Sequence, residues 1–370
     1  MSIPMVDLKK QYKSIKKEIN NAVLNVIEST RFIMGPEVTS FEEEMALYSS
    51  TKYAIACGSG TDALMMSLMA AGLETGDEVI TTPFTFAATA EVIRLLGLKA
   101  VFVDIKPDTY NIDPELVEKA VTKNTKAIIP VHLYGQIADM DEINRIAEKN
   151  NLIVIEDACQ AVGAHYKNRR ACSLGHMGAL SFFPSKNLGA YGDGGMVLTS
   201  DEEFAKTLRM IRDHGSDRRY HHAILGLNSR LDAMQAAILR VKLKHLDEWN
   251  EARKDVAALY TELLDHPDII TPVINEDRDH IFHQYSIQVP DRDGLRDYLA
   301  SKDIACAIHY PVPLHLQPAF AEEGKGKGSY PVAEKVADHV ISLPMFPELE
   351  EKDIKEVAGA VLDYVSGSSK

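Results

Sequence analysis

Cysteine is scarce in this 370-residue chain: Cys57, Cys159, Cys172 and Cys306 are all it has, and they lie far apart. None forms a CxxC pair, which excludes a disulfide frame or zinc ribbon as the organising device; each reads as a small buried residue. No apolar run approaches the length needed to cross a bilayer. The opening residues, MSIPMVDLKKQYKS, lack the apolar core of a signal peptide, so a cytoplasmic protein is expected. HExxH and Walker-type glycine-lysine motifs are missing, and no metal site is expected. Positive charge is in short supply: Lys and Arg total 40 against 54 Asp and Glu, a net −14. That balance argues against a general binder of nucleic acid or of anionic membranes. An anionic ligand would need a local cluster of donors. What remains is ordinary for a soluble globular protein, at 45% hydrophobic and 25% charged residues. The length suits a large core and two domains.

Leu8, Tyr12, Ile15, Ile19, Val23 and Val26 recur at helical spacing and predict an amphipathic N-terminal helix. Gly35-Pro36 breaks the chain, and Val38, Phe41, Met45 and Tyr48 begin a second helix. Strands and helices then alternate. The strands are expected at 53–57, 78–81, 100–105, 127–133 and 152–155, the helices after Gly60 and at 85–96, 114–121 and 139–150. This rhythm predicts an α/β fold with a mostly parallel sheet covered on both faces. Residues 227–266 contain no glycine or proline and read as one long helix or two nearly continuous ones. The expected division is a large domain over 1–249 and a smaller α+β domain over 250–370. In the latter, strands are expected at 286–289, 305–310 and 340–343, and helices at 295–301 and 351–364.

The stretch GALSFFPSKNLGAYGDGG, Gly178 to Gly195, stands out. Ala179 to Phe183 read as a buried strand that Pro184 ends. Lys186 then sits on a turn at the strand's end, where α/β proteins place their chemistry. Tyr191 to Gly194 is a turn signal feeding a further strand at 196–199. Four other stretches carry polar groups to comparable places. Gly58-Ser59-Gly60-Thr61-Asp62 lies between strand and helix; it is either a tight turn with an N-cap or a phosphate cup of free backbone N–H groups. Asp157 ends a β-branched run; it is an N-cap, half of an ion pair, or the partner of a protonated pyridine nitrogen. Phe86, in TPFTF, is core or a stacking surface. Asn228 and Arg230 lie at the start of the long helix, as N-cap and charge or as phosphate ligands, just after the basic patch His214 to His222. His309 and Tyr310 belong to an extended loop fixed by two X-Pro bonds. Together these supply a lysine, a carboxylate, an aromatic face and a phosphate cup, the contacts that pyridoxal phosphate needs.

The segments GPEVTSFEEEMA, GSGTDAL, GDEVITTPFTFAATAE, AIIPVHLYGQ, VIEDACQAVGA, SFFPSKNLGAYGDGG, NSRLDAMQAAIL and HYPVPLHLQP resemble, in order and across nearly the whole chain, the DegT/DnrJ/EryC1/StrS sugar aminotransferases. These are pyridoxal phosphate enzymes of fold type I. The resemblance implies that Lys186 is the Schiff-base lysine and that Asp157 pairs with the pyridine nitrogen. It implies that Gln160 bonds the ring hydroxyl, that Phe86 stacks on the ring, and that Gly60, Thr61 and Ser181 hold the phosphate. Asn228 would complete the phosphate site of the neighbouring subunit, making the active unit a homodimer with shared sites. Arg230, His309 and Tyr310 would lie near the substrate. L-glutamate would give the amino group and a nucleotide-linked keto-sugar would receive it.

RDHGSDRRYHH followed by GLNSRLDAMQAAIL looks most like aminotransferases acting on UDP-2-acetamido-2-deoxy-3-oxo-glucuronate, which feed bacterial surface polysaccharide such as lipopolysaccharide O-antigen. His315 in PLHLQP looks more like relatives acting on dTDP-3-keto-6-deoxyhexoses, the alternative substrate class. A sugar dehydratase of this fold would carry histidine in place of Lys186. A non-catalytic regulator should lack the lysine or carry a basic DNA-reading helix, and this acidic chain does neither.

Overall fold

Seven strands form the central sheet of the computed structural model, which describes residues 2–368. They are β1 (Tyr53–Cys57), β2 (Glu78–Thr81), β3 (Lys99–Phe102), β4 (Thr125–Ile128), β5 (Ile153–Asp157), β6 (Met177–Ser181) and β7 (Gly195–Thr199). Their spatial order is β1-β7-β6-β5-β4-β2-β3. Only β7 runs against the others, pairing antiparallel with both β1 and β6. The mostly parallel sheet is therefore present, and the reversed strand has a local cause. β6 and β7 are joined by residues 182–194, the lysine-bearing segment, and so lie side by side without a crossover helix.

Successive strand residues point to opposite faces. Ala54, Ile80, Ile128, Val154 and Leu180 enter one core with Phe41, Met45, Ile143 and Leu239. Ile55, Val79, Ala127, Ile155 and Ala179 enter the other with Leu64, Leu68, Val92 and Leu208. The helices that cover the first face include α2 (Pro36–Tyr48), α6 (Met140–Asn150) and α8 (Ala233–Leu243); those on the second include α3 (Gly60–Ala70), α4 (Ala88–Leu95) and α7 (Glu202–Arg212). Each fully buried leucine or isoleucine contributes about 1.5–3 kcal/mol. Helix α1 (Leu8–Ser29) lays Ile15 and Ile19 against Ile238, Val241 and Trp249. α5 (Pro114–Ala120) adds Val117 to the first core.

Helix α9 (Leu246–Leu263) leads to a second core. There β8 (Tyr285–Gln288) pairs antiparallel with β9 (Val340–Leu343), flanked by α10 (Arg292–Ser301), α11 (Pro331–His339) and α12 (Glu351–Ser368). Tyr260, Tyr285, Leu295, Ile341 and Val361 form its centre, and Ile3 joins them by bridging to Ile304.

Several expectations change. The helix expected at 85–96 starts only at Ala88, because residues 82–87 form a turn in which Thr82 Oγ1 accepts from Phe84 N. The 227–266 stretch is two nearly continuous helices, as one of its two readings had it, broken at Lys244-His245; what differs is that the first starts only at Ala233, with Asp232 at the cap position. Asn228 is therefore not an N-cap; it forms an isolated bridge with Asp213. No strand forms at 305–310, where Ala307 alone bridges to Ser342.

Candidate active site

The C-terminal ends of β1, β5 and β6 and the start of β7 meet at one edge of the sheet, where parallel α/β sheets hold ligands. A cavity of about 380 Å³ opens there, within the range of ligand sites. Gly60, Thr61, Phe86, Asp157, Gln160, Ser181, Lys186, His309 and Tyr310 all line it. Nine expected residues, spread from 60 to 310, thus reach one place. Asn228 and Arg230 do not line it.

The floor is Asp157, buried at 5% exposure. Thr89 Oγ1 donates to its Oδ2 at 2.8 Å and Cys159 N to its Oδ1 at 3.2 Å. These bonds fix the carboxylate and leave lone pairs for a cationic N–H donor. Thr89 was not anticipated. It lies on the helix one turn after Phe86, so helical spacing could have pointed to it.

At one side, α3 presents its N-terminus. Ser59 caps it, accepting from Asp62 N at 3.0 Å, so the N-cap and the anion cup are one structure. A Cβ added to Gly60 would lie 2.6 Å from Ser181 Cβ and 3.1 Å from Cys159 Sγ. Gly60→Ala is accordingly expected to cost about 1–3 kcal/mol by overpacking and to weaken phosphate binding. Melting temperature and cofactor titration read the two effects separately. Ser229, also unanticipated, braces the cup: its Oγ accepts from Gly58 N at 3.0 Å and donates to Asp62 Oδ2 at 2.7 Å. Neighbouring Asn228 is exposed, and Arg230 pairs with Asp213 Oδ1 at 2.9 Å.

Gln160 and Tyr310 form the opposite wall. Gln160 Oε1 accepts from Tyr134 N at 2.8 Å, and its Nε2 donates to the Tyr310 hydroxyl at 3.1 Å. One amide hydrogen of Gln160 remains for a ligand. Burial pushes the Tyr310 phenol up, so it stays protonated. Burial and the charge of Lys186 push His309 down to about 4. Phe86 is 58% exposed, unusual for a phenylalanine away from an interface or ligand, and Phe183, which also lines the cavity, is 54% exposed. His283, Gln284, Ser185 and Asp193 also line it; Ser185 and Asp193 belong to the segment that carries Lys186, whereas no motif marks His283 or Gln284 in the sequence.

Lys186 is partly buried. Desolvation lowers its pKa from the ordinary lysine value, with Cys159 and Asp157 opposing. Its loop is held from below by the helices α8 and α9. Gln235 Oε1 accepts from Tyr191 N at 2.8 Å, Lys242 Nζ donates to Gly189 O at 2.6 Å, and Asn250 Oδ1 accepts from Asn187 Nδ2 at 2.7 Å. Gly189 approaches Pro184 so closely that a Cβ would meet its carbonyl oxygen at 2.3 Å. Burial pushes Lys242 down to about 7. The folded state thus holds that proton more weakly than the unfolded chain, whose lysines titrate near about 10.4. The contribution of Lys242 to stability is greatest above that range, falls as pH drops toward about 7, and levels off below. Lys242→Met is expected to flatten this slope, read from urea-unfolding free energies across the same range.

A buried carboxylate, a helix-terminus cup, an exposed aromatic face and a desolvated lysine around one cavity fit pyridoxal phosphate, and the fold and site define an aminotransferase that uses it. The model of the DegT/DnrJ/EryC1/StrS aminotransferase family matches residues 13–362, and the chain belongs to this family. It is 52% identical over 98% of its length to the "Pleiotropic regulatory protein" of Geobacillus stearothermophilus, covering 99% of that protein. It is 48% identical to the UDP-2-acetamido-2-deoxy-3-oxo-D-glucuronate aminotransferase of Pseudomonas aeruginosa, covering 97% of this chain and 99% of that one. To the dTDP-3-amino-3,4,6-trideoxy-alpha-D-glucose transaminase of Streptomyces venezuelae it is 44% identical, over 98% and 96%. Among solved structures, S. venezuelae DesV in complex with a ketimine intermediate superposes with a TM-score of 0.96 at 43% identity, covering 98% of both chains. Bacillus subtilis NtdA with bound cofactor PMP, pyridoxamine phosphate, gives 0.90 at 33% identity, covering 95% of this chain and 82% of that one. The protein is a pyridoxal phosphate-dependent sugar aminotransferase. Among the described residues no cluster suited to a metal ion occurs, and no helix is long and apolar enough to cross a membrane.

Proposed function

We propose that the protein transfers the amino group of L-glutamate to carbon 3 of a nucleotide-linked keto-sugar, with UDP-2-acetamido-2-deoxy-3-oxo-glucuronate as its acceptor. The observation that carries this is the 48% identity, over nearly the full length of both chains, to an aminotransferase named for that sugar. The S. venezuelae relative carries its amine at the same ring position on a dTDP-sugar. His315, the residue that favoured the dTDP class, is buried away from the cavity. Its Nε2 pairs with Glu334 Oε1 at 2.9 Å, and it does not line the cavity.

Bound in this cavity, pyridoxal phosphate supplies an electron sink for the carbon that loses or gains the amine. Asp157 would keep a proton on the pyridine nitrogen through the lone pairs that Thr89 and Cys159 leave open. Gly60, Thr61 and Ser181 would hold the phosphate, Phe86 would cover the ring and Gln160 would bond its hydroxyl. Lys186 Nζ, favoured as the neutral amine by burial, would take up and return the proton at the substrate carbon.

The active unit is a homodimer. Ser229 faces the cup of its own chain while Asn228 and Arg230 flank it and lie outside that chain's cavity, as residues serving a partner's cavity should. Phe32, Ile33, Met34 and Met234 are exposed on adjoining segments, joined by Ala233 N bonding Phe32 O at 2.9 Å. Such an apolar patch suits a second subunit. A forked contact from Arg230 would read the uronate carboxylate. The division at 249/250 puts cofactor residues on one domain and His309-Tyr310 on the other. The work is cytoplasmic and feeds surface-polysaccharide assembly.

The test loads the protein with L-glutamate to the pyridoxamine form and offers a panel of 3-keto nucleotide-sugars. The UDP-uronate is expected to restore the original absorbance fastest. A response confined to 6-deoxy dTDP-sugars refutes the assignment. Arg230→Ala is expected to slow the uronate step by about 10- to 100-fold, the worth of a charged hydrogen bond, while leaving the glutamate step unchanged.

A further inference from the structure

His283 lies just ahead of β8, 7% exposed, on the cavity wall that faces Lys186. Its ring orientation and its proton are set by a chain of amides. Asn250 Nδ2 donates to Val162 O at 3.2 Å, which turns Asn250 Oδ1 toward Asn187. Asn187 Nδ2 donates to that oxygen at 2.7 Å and to Ile281 O at 3.1 Å. Both partners are acceptors, so they use the two amide hydrogens of Asn187 and fix its orientation. Asn187 Oδ1 is then what His283 Nδ1 meets, at 3.3 Å. An amide oxygen only accepts, so Nδ1 carries the hydrogen. Burial, reinforced by the positive charges of Lys186 and Arg253, holds the imidazole well below its ordinary pKa and therefore neutral. Nε2 is left with a bare lone pair. Gln284 Nε2, at 3.5 Å, sits at the outer limit of a hydrogen bond to it. His309 is not constrained this way: its Nδ1 faces the Ser342 hydroxyl at 2.9 Å, which can give or take a hydrogen.

We propose that His283 is a substrate-positioning residue whose Nε2 is a permanent hydrogen-bond acceptor for an O–H or N–H of the substrate in the cavity. The donor group is either a hydroxyl of the keto-sugar or the ammonium of the amino donor. No proton is transferred; a ring held neutral so firmly is a poor base but a reliable acceptor. Asn187 adjoins Lys186, so one anchored residue both steadies the lysine loop and selects the imidazole tautomer. The inference rests on the aminotransferase site and not on which sugar is aminated.

Two measurements test it. In the cofactor-free full chain labelled with 15N-histidine, the resonance lost in His283→Phe is expected to show hydrogen on Nδ1 and none on Nε2 at neutral pH. Hydrogen on Nε2, or on both nitrogens, overturns the proposal, and this reading is independent of any activity. In the cofactor-loaded enzyme, His283→Phe is expected to slow one half-reaction about 10- to 100-fold, with a lowered melting temperature because Asn187 Oδ1 loses its donor. His283→Gln, which offers an oxygen near the same position, is expected to return it to within about threefold of the unsubstituted protein. Loss in the sugar step assigns the hydroxyl; loss in the glutamate step assigns the ammonium. If His283→Phe leaves both steps at full rate, or His283→Gln does no better, Nε2 is not a substrate ligand.

Discussion

Replacing Lys186 with alanine is expected to abolish both half-reactions while leaving a protein as stable as its parent, or more so. The lysine's environment works against its charge: desolvation lowers its pKa, and among the described contacts its Nζ has no hydrogen-bond partner. A desolvated amine without a partner is a cost to folding, one that the proposed chemistry at this position would account for. Removing it discards that cost together with the group proposed to move the proton. General acid–base catalysis alone is worth about 10²- to 10⁴-fold, and the proposed covalent hold on the cofactor would go with it. Turnover below that margin, beside an unchanged or raised melting temperature, is the expected pair of readings. Residual turnover within tenfold of the parent would remove Lys186 from the centre of the account.

Asp157→Asn is the second large effect. The carboxylate lies at the bottom of the cavity with one bond to each oxygen from the protein. An amide in its place would turn an N–H toward Thr89 or toward the proposed pyridine nitrogen, and it takes away the negative charge. Breaking a buried charge pair by removing one partner costs about 3–5 kcal/mol, which corresponds to roughly 10²- to 10⁴-fold in rate. Thr89→Val keeps the charge and loses one neck of its support. It should cost about 1 kcal/mol, so the ratio of the two losses separates charge from placement. Rates of the glutamate half-reaction measure both variants.

The site was legible in the sequence to the extent that local chemistry is. Lys186 follows a strand, a proline and a run of glycines; Asp157 ends a β-branched run; Gly60 opens a helix after a strand. Each is a short-range pattern, and the parallel sheet gathers strand ends at one edge without further instruction. Thr89 was within reach by the same logic, one turn beyond Phe86. Ser229 and His283 were not. Their roles depend on which segments the fold brings beside the cup and the lysine loop, across more than ninety positions of sequence in each case, and nothing in their own neighbourhoods records it. The failed expectations have related causes. Residues 305–310 have strand-like composition but find a partner at only one position, Ala307 with Ser342. Asn228 has the chemistry of a helix cap, yet Asp232 takes the position next to the helix.

The most direct test of the central claim is chemical trapping of the cofactor. Purified protein is saturated with pyridoxal phosphate, reduced with borohydride, digested and mapped by mass spectrometry. The account predicts a single pyridoxyl adduct, on Lys186, and its loss in the Lys186→Ala variant. An adduct on another lysine, such as Lys242 beneath the same loop, or no adduct at all, contradicts it.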